Sequence, residues 1–163
     1  MKKLFGALLV IVSVLVAAGV ASADQPPATT FVAALTADQE VPGCDPATNA
    51  ARGLFVGHVV DEATGTVEWT LVANNLPGST IAAHIHFPGP AGVAAGVVQP
   101  LPITPGEENG VIATGSFSNL ALVAGIRANP ELYYVNVHTV PPGVGCPAGA
   151  VRGQLDLQGP LNN

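Results

Sequence analysis

The chain has few charged residues, few aromatic residues and only two cysteines. Charged residues make up 10% of its 163 residues and aromatic residues 5%, and Lys and Arg together number five. So little basic surface excludes a protein that binds nucleic acid or anionic membranes through electrostatics. The absence of a Cys-x-x-Cys pair excludes a thioredoxin-type redox site. No apolar run beyond the first twenty residues is long enough to span a membrane.

The first 23 residues are typical of a cleaved secretion signal. Lys2 and Lys3 precede an uncharged run from Leu4 to Val20, and the small-residue pattern Ala21-Ser22-Ala23 follows. An uncleaved anchor helix is the alternative, but the run is at the short end for spanning a bilayer. We therefore expect a secreted or otherwise extracytoplasmic protein, extracellular or periplasmic, that begins at Asp24. Its three arginines and eleven acidic residues would give it a formal charge of −8.

The rest of the chain fits one domain. We expect a flexible start at residues 24–29, the domain itself at residues 30–158 and a tail at residues 159–163. Cys44 and Cys146 both lie in loops rich in Pro and Gly. In an oxidising compartment such a pair is expected to form a structural disulfide, here between the first and the last loop of the domain.

Short β-type runs separated by Gly, Pro and Asn dominate the domain, and no long stretch keeps a helical apolar period. The runs predict about eight strands and one short helix. The strands are Thr30–Ala37, Ala51–Val60, Thr66–Ala73, Thr80–Phe87, Val93–Leu101, Val111–Phe117, Leu132–Thr139 and Ala150–Leu157, and the helix is Asn119–Asn129. This pattern predicts an all-β, two-sheet Greek-key sandwich, immunoglobulin-like or superoxide-dismutase-like, with one disulfide.

All four histidines lie on predicted strands. His84 and His86 are two residues apart, so their side chains point to the same side of one strand. With His138 from another strand, they could bind copper or zinc, since imidazole nitrogens suit both ions. Alternatively, the three side chains could hydrogen-bond to loop backbone and hold the segment Pro88–Pro102 against the sheet. His58 is expected to be structural.

Templates for catalysis are missing from the sequence. The segment Gly115–Asn119 lacks the closing Gly of a nucleophile elbow, and the paired acidic residues are adjacent in turns. We therefore predict no catalytic residues. Arg152 enters the last strand of an acidic domain and is expected to form a fold-closing ion pair with Glu40, with anion binding as the alternative.

Four motifs, taken in order, resemble those of the CHRD domain family. They are Gln39-Glu40-Val41-Pro42, Ala83-His84-Ile85-His86 with Gly89-Pro90-Ala91-Gly92, Tyr134-Val135-Asn136-Val137-His138-Thr139, and Val151-Arg152-Gly153-Gln154-Leu155. This family is named for the chordin extracellular proteins and also occurs as single-domain secreted microbial proteins. The resemblance implies an extracellular β-sandwich and marks His84, His86, His138 and Arg152 as motif positions. It implies no catalytic mechanism, and the two cysteines are not part of the motif pattern.

Three functions follow from these features. The first is a non-catalytic extracellular binding or structural module, with a protein or a glycan as its partner. The second is a protein that binds copper or zinc at the three histidines, and the third is a redox enzyme that uses that metal. The His-x-His strand is similar to that of copper/zinc superoxide dismutase. That dinuclear site needs six histidines and an aspartate, however, and this chain has four histidines.

Overall fold

Nine strands, one α-helix and two 3₁₀ turns form the described part of the chain, which comprises residues 27–44, 50–142 and 145–158 of a computed structural model. The predicted secretion signal and the predicted tail lie outside these residues. The strands are β1 (Thr30–Thr36), β2 (Arg52–Asp61), β3 (Thr66–Asn74), β4 (Ser79–His86), β5 (Val97–Leu101), β6 (Gly110–Ser118), β7 (Tyr134–Val140), β8 (Val151–Gln154) and β9 (Asp156–Gln158). The helix α1 is Leu120–Ala128, and the 3₁₀ turns are Ala37–Gln39 and Pro130–Leu132.

Strand β3 illustrates how the strands build a core. Val67, Trp69 and Leu71 are buried and Glu68 is exposed, so apolar residues recur with the period of two that strand geometry imposes. The neighbouring strand β2 buries Phe55, whose ring stacks on that of Trp69 with centroids 6.3 Å apart. One face of these strands is therefore a continuous apolar surface.

The strands form one continuous antiparallel sheet. Neighbours follow the order β5-β4-β7-β8-β1-β2-β3-β6, and β9 also pairs with β1. The sheet is nearly closed and barrel-like, with β5 and β6 at its two ends. Pairing between Thr36 and Arg152 joins β1 to β8 and so connects the two halves of the sheet. The all-β class is confirmed, whereas the predicted two-sheet Greek-key sandwich is not.

Helix α1 closes over the core. Asn119 caps its first turn, with the side-chain oxygen accepting a hydrogen bond from the backbone N–H of Leu122 at 3.0 Å. Leu122, Val123 and Ile126 are buried against the sheet residues. The helix predicted at this position is confirmed. No helix within the described ranges has the length and apolarity needed to cross a membrane.

Two strand predictions were wrong in detail. Strand β5 begins at Val97 rather than Val93, because the N–H and the carbonyl group of Ala95 bond to the side chains of Tyr134 and His86. The predicted last strand is two strands, β8 and β9, which are separated at Leu155. Strand β8 pairs with both β7 and β1, whereas β9 pairs with β1.

Polar side chains cover the outer face of β4, β7 and β8. Their alternating neighbours, such as Ile85 and Val135, face the core and are fully buried. The loop between β4 and β5 and the segment after Cys146 pack over this outer face. The predicted disulfide between Cys44 and Cys146 is present, with Cα atoms 5.7 Å apart, and it lies at the start of the segment after Cys146.

Candidate metal centre

Strands β4 and β7 place three histidines side by side on the outer face of the sheet. In the antiparallel register Ala82 pairs with His138 and His84 pairs with Asn136, so His138 is a diagonal neighbour of His84. One ring nitrogen from each of His84, His86 and His138 lies within 4.8 Å of the other two. The structure therefore brings together all three histidines that the sequence analysis selected.

His86 is the most deeply buried of the three, with 7% of its surface exposed. Its Nδ1 lies 2.9 Å from the carbonyl oxygen of Ala95. Because a carbonyl can only accept, Nδ1 carries the proton and Nε2 is left with a lone pair. That Nε2 is buried and has no hydrogen-bond partner among the described residues. Its ring stacks on Tyr134, with centroids 4.6 Å apart and planes within 4° of parallel.

His138 is held in the same way from the other side. Its Nδ1 lies 3.0 Å from the carbonyl oxygen of Pro147, the residue that follows Cys146. The proton is therefore on Nδ1, and Nε2 is free to accept. Burial lowers the pKa of His138 despite the opposing effect of the Pro147 carbonyl, as it does that of His86. Both imidazoles are thus neutral at pH 7.

His84 completes the cluster, and within the described residues its side chain makes no hydrogen bond to the backbone. Its Nδ1 lies 3.2 Å from Nε2 of His138 and donates to it, since the His138 proton is committed to Pro147. Burial, together with the smaller effect of the neighbouring histidines, lowers the pKa of His84 to about 4. The separation of these two nitrogens is close to that in a tetrahedral site, where ligands about 2.0–2.1 Å from an ion are roughly 3.3 Å apart, and Nδ1 of His84 could bind an ion once its proton is on Nε2.

These features fit the requirements of a metal centre built from neutral imidazoles. Ligating histidines in proteins usually donate the other ring N–H to a carbonyl or a carboxylate, which fixes the tautomer and the ring orientation. His86 and His138 have this arrangement with Ala95 and Pro147. Copper and zinc both accept such ligands. The two interpretations of the histidines are therefore compatible, since one ring nitrogen holds a loop and the other faces the cluster.

The predicted ion pair between Arg152 and Glu40 is not formed. Among the described residues the one ion pair joins Arg127 and Glu62, at 2.7 Å. Arg152 donates instead to backbone carbonyls and to Gln154, because carbonyl groups of the β4–β5 loop surround its guanidinium group. Burial raises the pKa of Glu40, and the charge of Arg152 only partly offsets this effect at longer range.

Glu40 bonds to Asn136 instead. The side-chain N–H of Asn136 donates to Oε2 of Glu40 at 2.9 Å, and both residues are buried. Asn136 also lies next to His84 in the sheet. His58 stands apart on β2, exposed, with its Nδ1 3.2 Å from the hydroxyl of Thr30.

The residues that orient the histidines were not predicted from the sequence. Tyr134 stacks on His86, and the carbonyl groups of Ala95 and Pro147 fix the tautomers of His86 and His138. A signal for Tyr134 was present, because it alternates with Asn136 and His138 along β7 and so shares their face. The two carbonyl groups lie in loops, where no periodicity indicates direction.

Comparison with known proteins identifies the family. No solved structure and no protein of curated function matches the sequence. The family model of the CHRD domain matches residues 31–155, most of the chain. The matched range contains the three clustered histidines, Arg152 and nearly the whole described sheet. By this match over most of its length, the chain belongs to the CHRD domain family.

Proposed function

We propose that this protein is a secreted, non-catalytic metal-binding domain that holds one copper or zinc ion with His84, His86 and His138. One observation carries the proposal: Nε2 of His86 is buried without a hydrogen-bond partner among the described residues and lies in a cluster with two further imidazoles. An unpaired buried acceptor costs about 1–3 kcal/mol. A bound metal ion would offset this cost.

The protonation state of the cluster favours the same function. A metal ion must compete with protons for imidazole nitrogens, so ligands that are already neutral bind it more tightly. Burial lowers the pKa of all three histidines, that of His84 to about 4. All three imidazoles are therefore neutral at pH 7, and His84 needs only to move its proton from Nδ1 to Nε2.

The three ring nitrogens are not yet at metal-binding distances. The longest separation among them is within 4.8 Å, and an ion would draw all three to roughly 3.3 Å. Within the described residues, the one side-chain hydrogen bond of His84 goes to His138, so its ring can turn without breaking a bond to a loop. His86 and His138 would keep their bonds to Ala95 and Pro147 while the ion binds.

Metal stoichiometry and affinity test the proposal directly. The untagged chain from Asp24 onward is first freed of metal, then loaded with Cu or Zn and dialysed at pH 7. We expect it to retain one equivalent of the metal. His84→Ala should lower the affinity by on the order of 100-fold. This variant removes a ligand without removing a backbone anchor, so the fold should persist by near-ultraviolet circular dichroism.

His58→Ala is the matched control, because it removes the one histidine outside the cluster. It should bind metal as the wild type does. Retention of less than about a tenth of an equivalent by the wild type after loading and dialysis would overturn the proposal. Equal affinities in His84→Ala and His58→Ala would do so as well.

Secretion is part of the proposal. Two observations support it: the signal pattern that ends at Ala23, and the disulfide between Cys44 and Cys146, a bond typical of oxidising compartments. We expect the exported product to begin at Asp24, which the intact mass of protein recovered outside the cytoplasm will check. A product that keeps residues 1–23 would contradict it.

A further inference from the structure

Arg152 is a fully buried cation whose hydrogen bonds go mainly to one loop. Only 1% of its surface is exposed. Its guanidinium nitrogens donate to the carbonyl oxygens of Gly89, Pro90 and Val93 at 2.9–3.0 Å. It also bonds to the side-chain oxygen of Gln154 at 2.8 Å. A buried charge needs such partners, and here the partners are the backbone of the β4–β5 loop.

The guanidinium group of Arg152 and the ring of His86 both contact the ring of Tyr134. The central carbon of Arg152 lies 3.5 Å from the Tyr134 ring centroid, and the His86 ring stacks parallel to Tyr134 with centroids 4.6 Å apart. A cation over a tyrosine face is attracted by the ring quadrupole. Arg152 therefore acts on the ring against which His86 packs.

The loop returns to the same histidine. The backbone N–H of Ala95 donates to the hydroxyl of Tyr134 at 3.0 Å, while the carbonyl group of Ala95 accepts from His86. Gly89 allows the loop to approach this closely, because a Cβ atom there would lie 2.5 Å from the Tyr134 ring. Arg152 is therefore connected to His86 by two routes. One passes through the β4–β5 loop and Ala95, and the other passes through the ring of Tyr134.

We propose that Arg152 is a positioning residue for the metal centre: through Tyr134 and the loop that contains Gly89 and Ala95, it fixes the ring orientation and tautomer of His86. This inference rests on the proposed metal function for its purpose. Its structural content, the tautomer of His86, can be measured without metal.

Arg152→Lys is the decisive variant. Lysine keeps the charge but is a point donor without a planar fork, so it cannot hold three carbonyl groups and stack on Tyr134 together. We expect metal affinity to fall by about 10–100-fold, as for other residues that orient ligands. The electron paramagnetic resonance spectrum of the Cu(II) form should change from three coordinating nitrogens to two.

Arg127→Lys is the matched control. Arg127 also donates to a backbone carbonyl, that of Ala28, and it pairs with Glu62 away from the cluster. Its replacement should leave metal affinity and the copper spectrum unchanged. Tyr134→Phe is the second test, because it keeps the ring stack and removes the hydroxyl that holds Ala95. It should weaken binding about tenfold even if Arg152→Lys does not fold.

A nitrogen-15 spectrum of the metal-free protein separates this inference from the proposed function. In the wild type His86 should be a single tautomer protonated at Nδ1, and in Arg152→Lys or Tyr134→Phe it should become a mixture. A wild type that shows this tautomer but binds no metal would overturn the proposed function alone. If folded Arg152→Lys and Tyr134→Phe both keep the pure tautomer and, where metal binds, the wild-type affinity, Arg152 does not position His86.

Discussion

The carboxyl group of Glu40 is the buried acid that the candidate metal centre does not use. Asn136 donates to its Oε2, while Oε1 of Glu40 and Oδ1 of Asn136 are buried without hydrogen-bond partners among the described residues. A proton on Glu40 would supply the missing donor for this pair of acceptors. Burial raises the pKa of Glu40 to about 7, and the attraction of Arg152 only partly offsets the effect.

This shift makes stability depend on pH with a definite sign. Below about pH 4.5 Glu40 is protonated in both the folded and the unfolded chain. Between about 4.5 and 7 the folded chain keeps a proton that the unfolded chain has released, so the Glu40 contribution to stability is lost as pH rises. The clustered histidines act oppositely at acid pH, because their pKa values are lowered by burial.

Glu40→Gln isolates the contribution of the carboxyl group. Glutamine keeps the shape and the hydrogen bond with Asn136 but does not ionise. We expect the variant to be as stable as the wild type at pH 4 and more stable at pH 8, by about 3 kcal/mol. Urea unfolding at both pH values will measure the difference in unfolding free energy between the variant and the wild type. The histidine contributions cancel in this difference because both proteins have the same histidines. A difference that does not change with pH would contradict the assigned protonation.

The histidines show what could be predicted at the scale of single residues. The two-residue spacing of His84 and His86 correctly placed both side chains on one face, because strand geometry alone decides it. Their ligand atoms could not be predicted, since the carbonyl groups of Ala95 and Pro147 select the tautomers of His86 and His138. Those carbonyl groups reach the cluster through loop conformations that no local pattern encodes.

At the scale of elements, punctuation by Gly, Pro and Asn located most strands to within a residue or two. The hairpin β2–β3 is an example, since Asp61 accepts from the N–H of Ala63 and turns the chain where the sequence predicted a turn. The loop before β5 was misread as a strand, because Val93 is apolar although its N–H bonds to the carbonyl group of Pro90 in a turn.

The arrangement of the strands could not be predicted from the same signals. Apolar alternation is alike in a sandwich and in a nearly closed sheet, because both bury one face of each strand. The difference lies in the pairing of Thr36 with Arg152, which joins β1 to β8 across a long stretch of chain. Such a contact is set by the whole core rather than by either strand.

At the scale of the molecule, two contacts tie distant parts of the chain together. The disulfide joins Cys44 to Cys146 over a separation of 102 residues. Arg127, at the end of α1, donates to the carbonyl group of Ala28 at 2.8 Å and so holds the first described residues against the helix. The disulfide restricts the unfolded chain, and the Arg127 bond fixes the start of the folded domain. Neither contacts the clustered imidazoles, although Cys146 precedes the residue that anchors His138.

The double variant Cys44→Ala/Cys146→Ala should therefore separate stability from metal affinity. Loss of the bond should lower the free energy of unfolding by about 2–5 kcal/mol, mainly through the freed unfolded chain. Metal affinity at a temperature where the protein is folded should stay within about threefold. The reason is that the backbone N–H and carbonyl of Cys146 remain bonded to Thr139, which keeps the Pro147 carbonyl in place.

Leu71→Ala, a fully buried site in β3, is the stability-matched control at about 2–5 kcal/mol. A tenfold loss of affinity in the cysteine variant but not in Leu71→Ala would show that the disulfide itself positions His138.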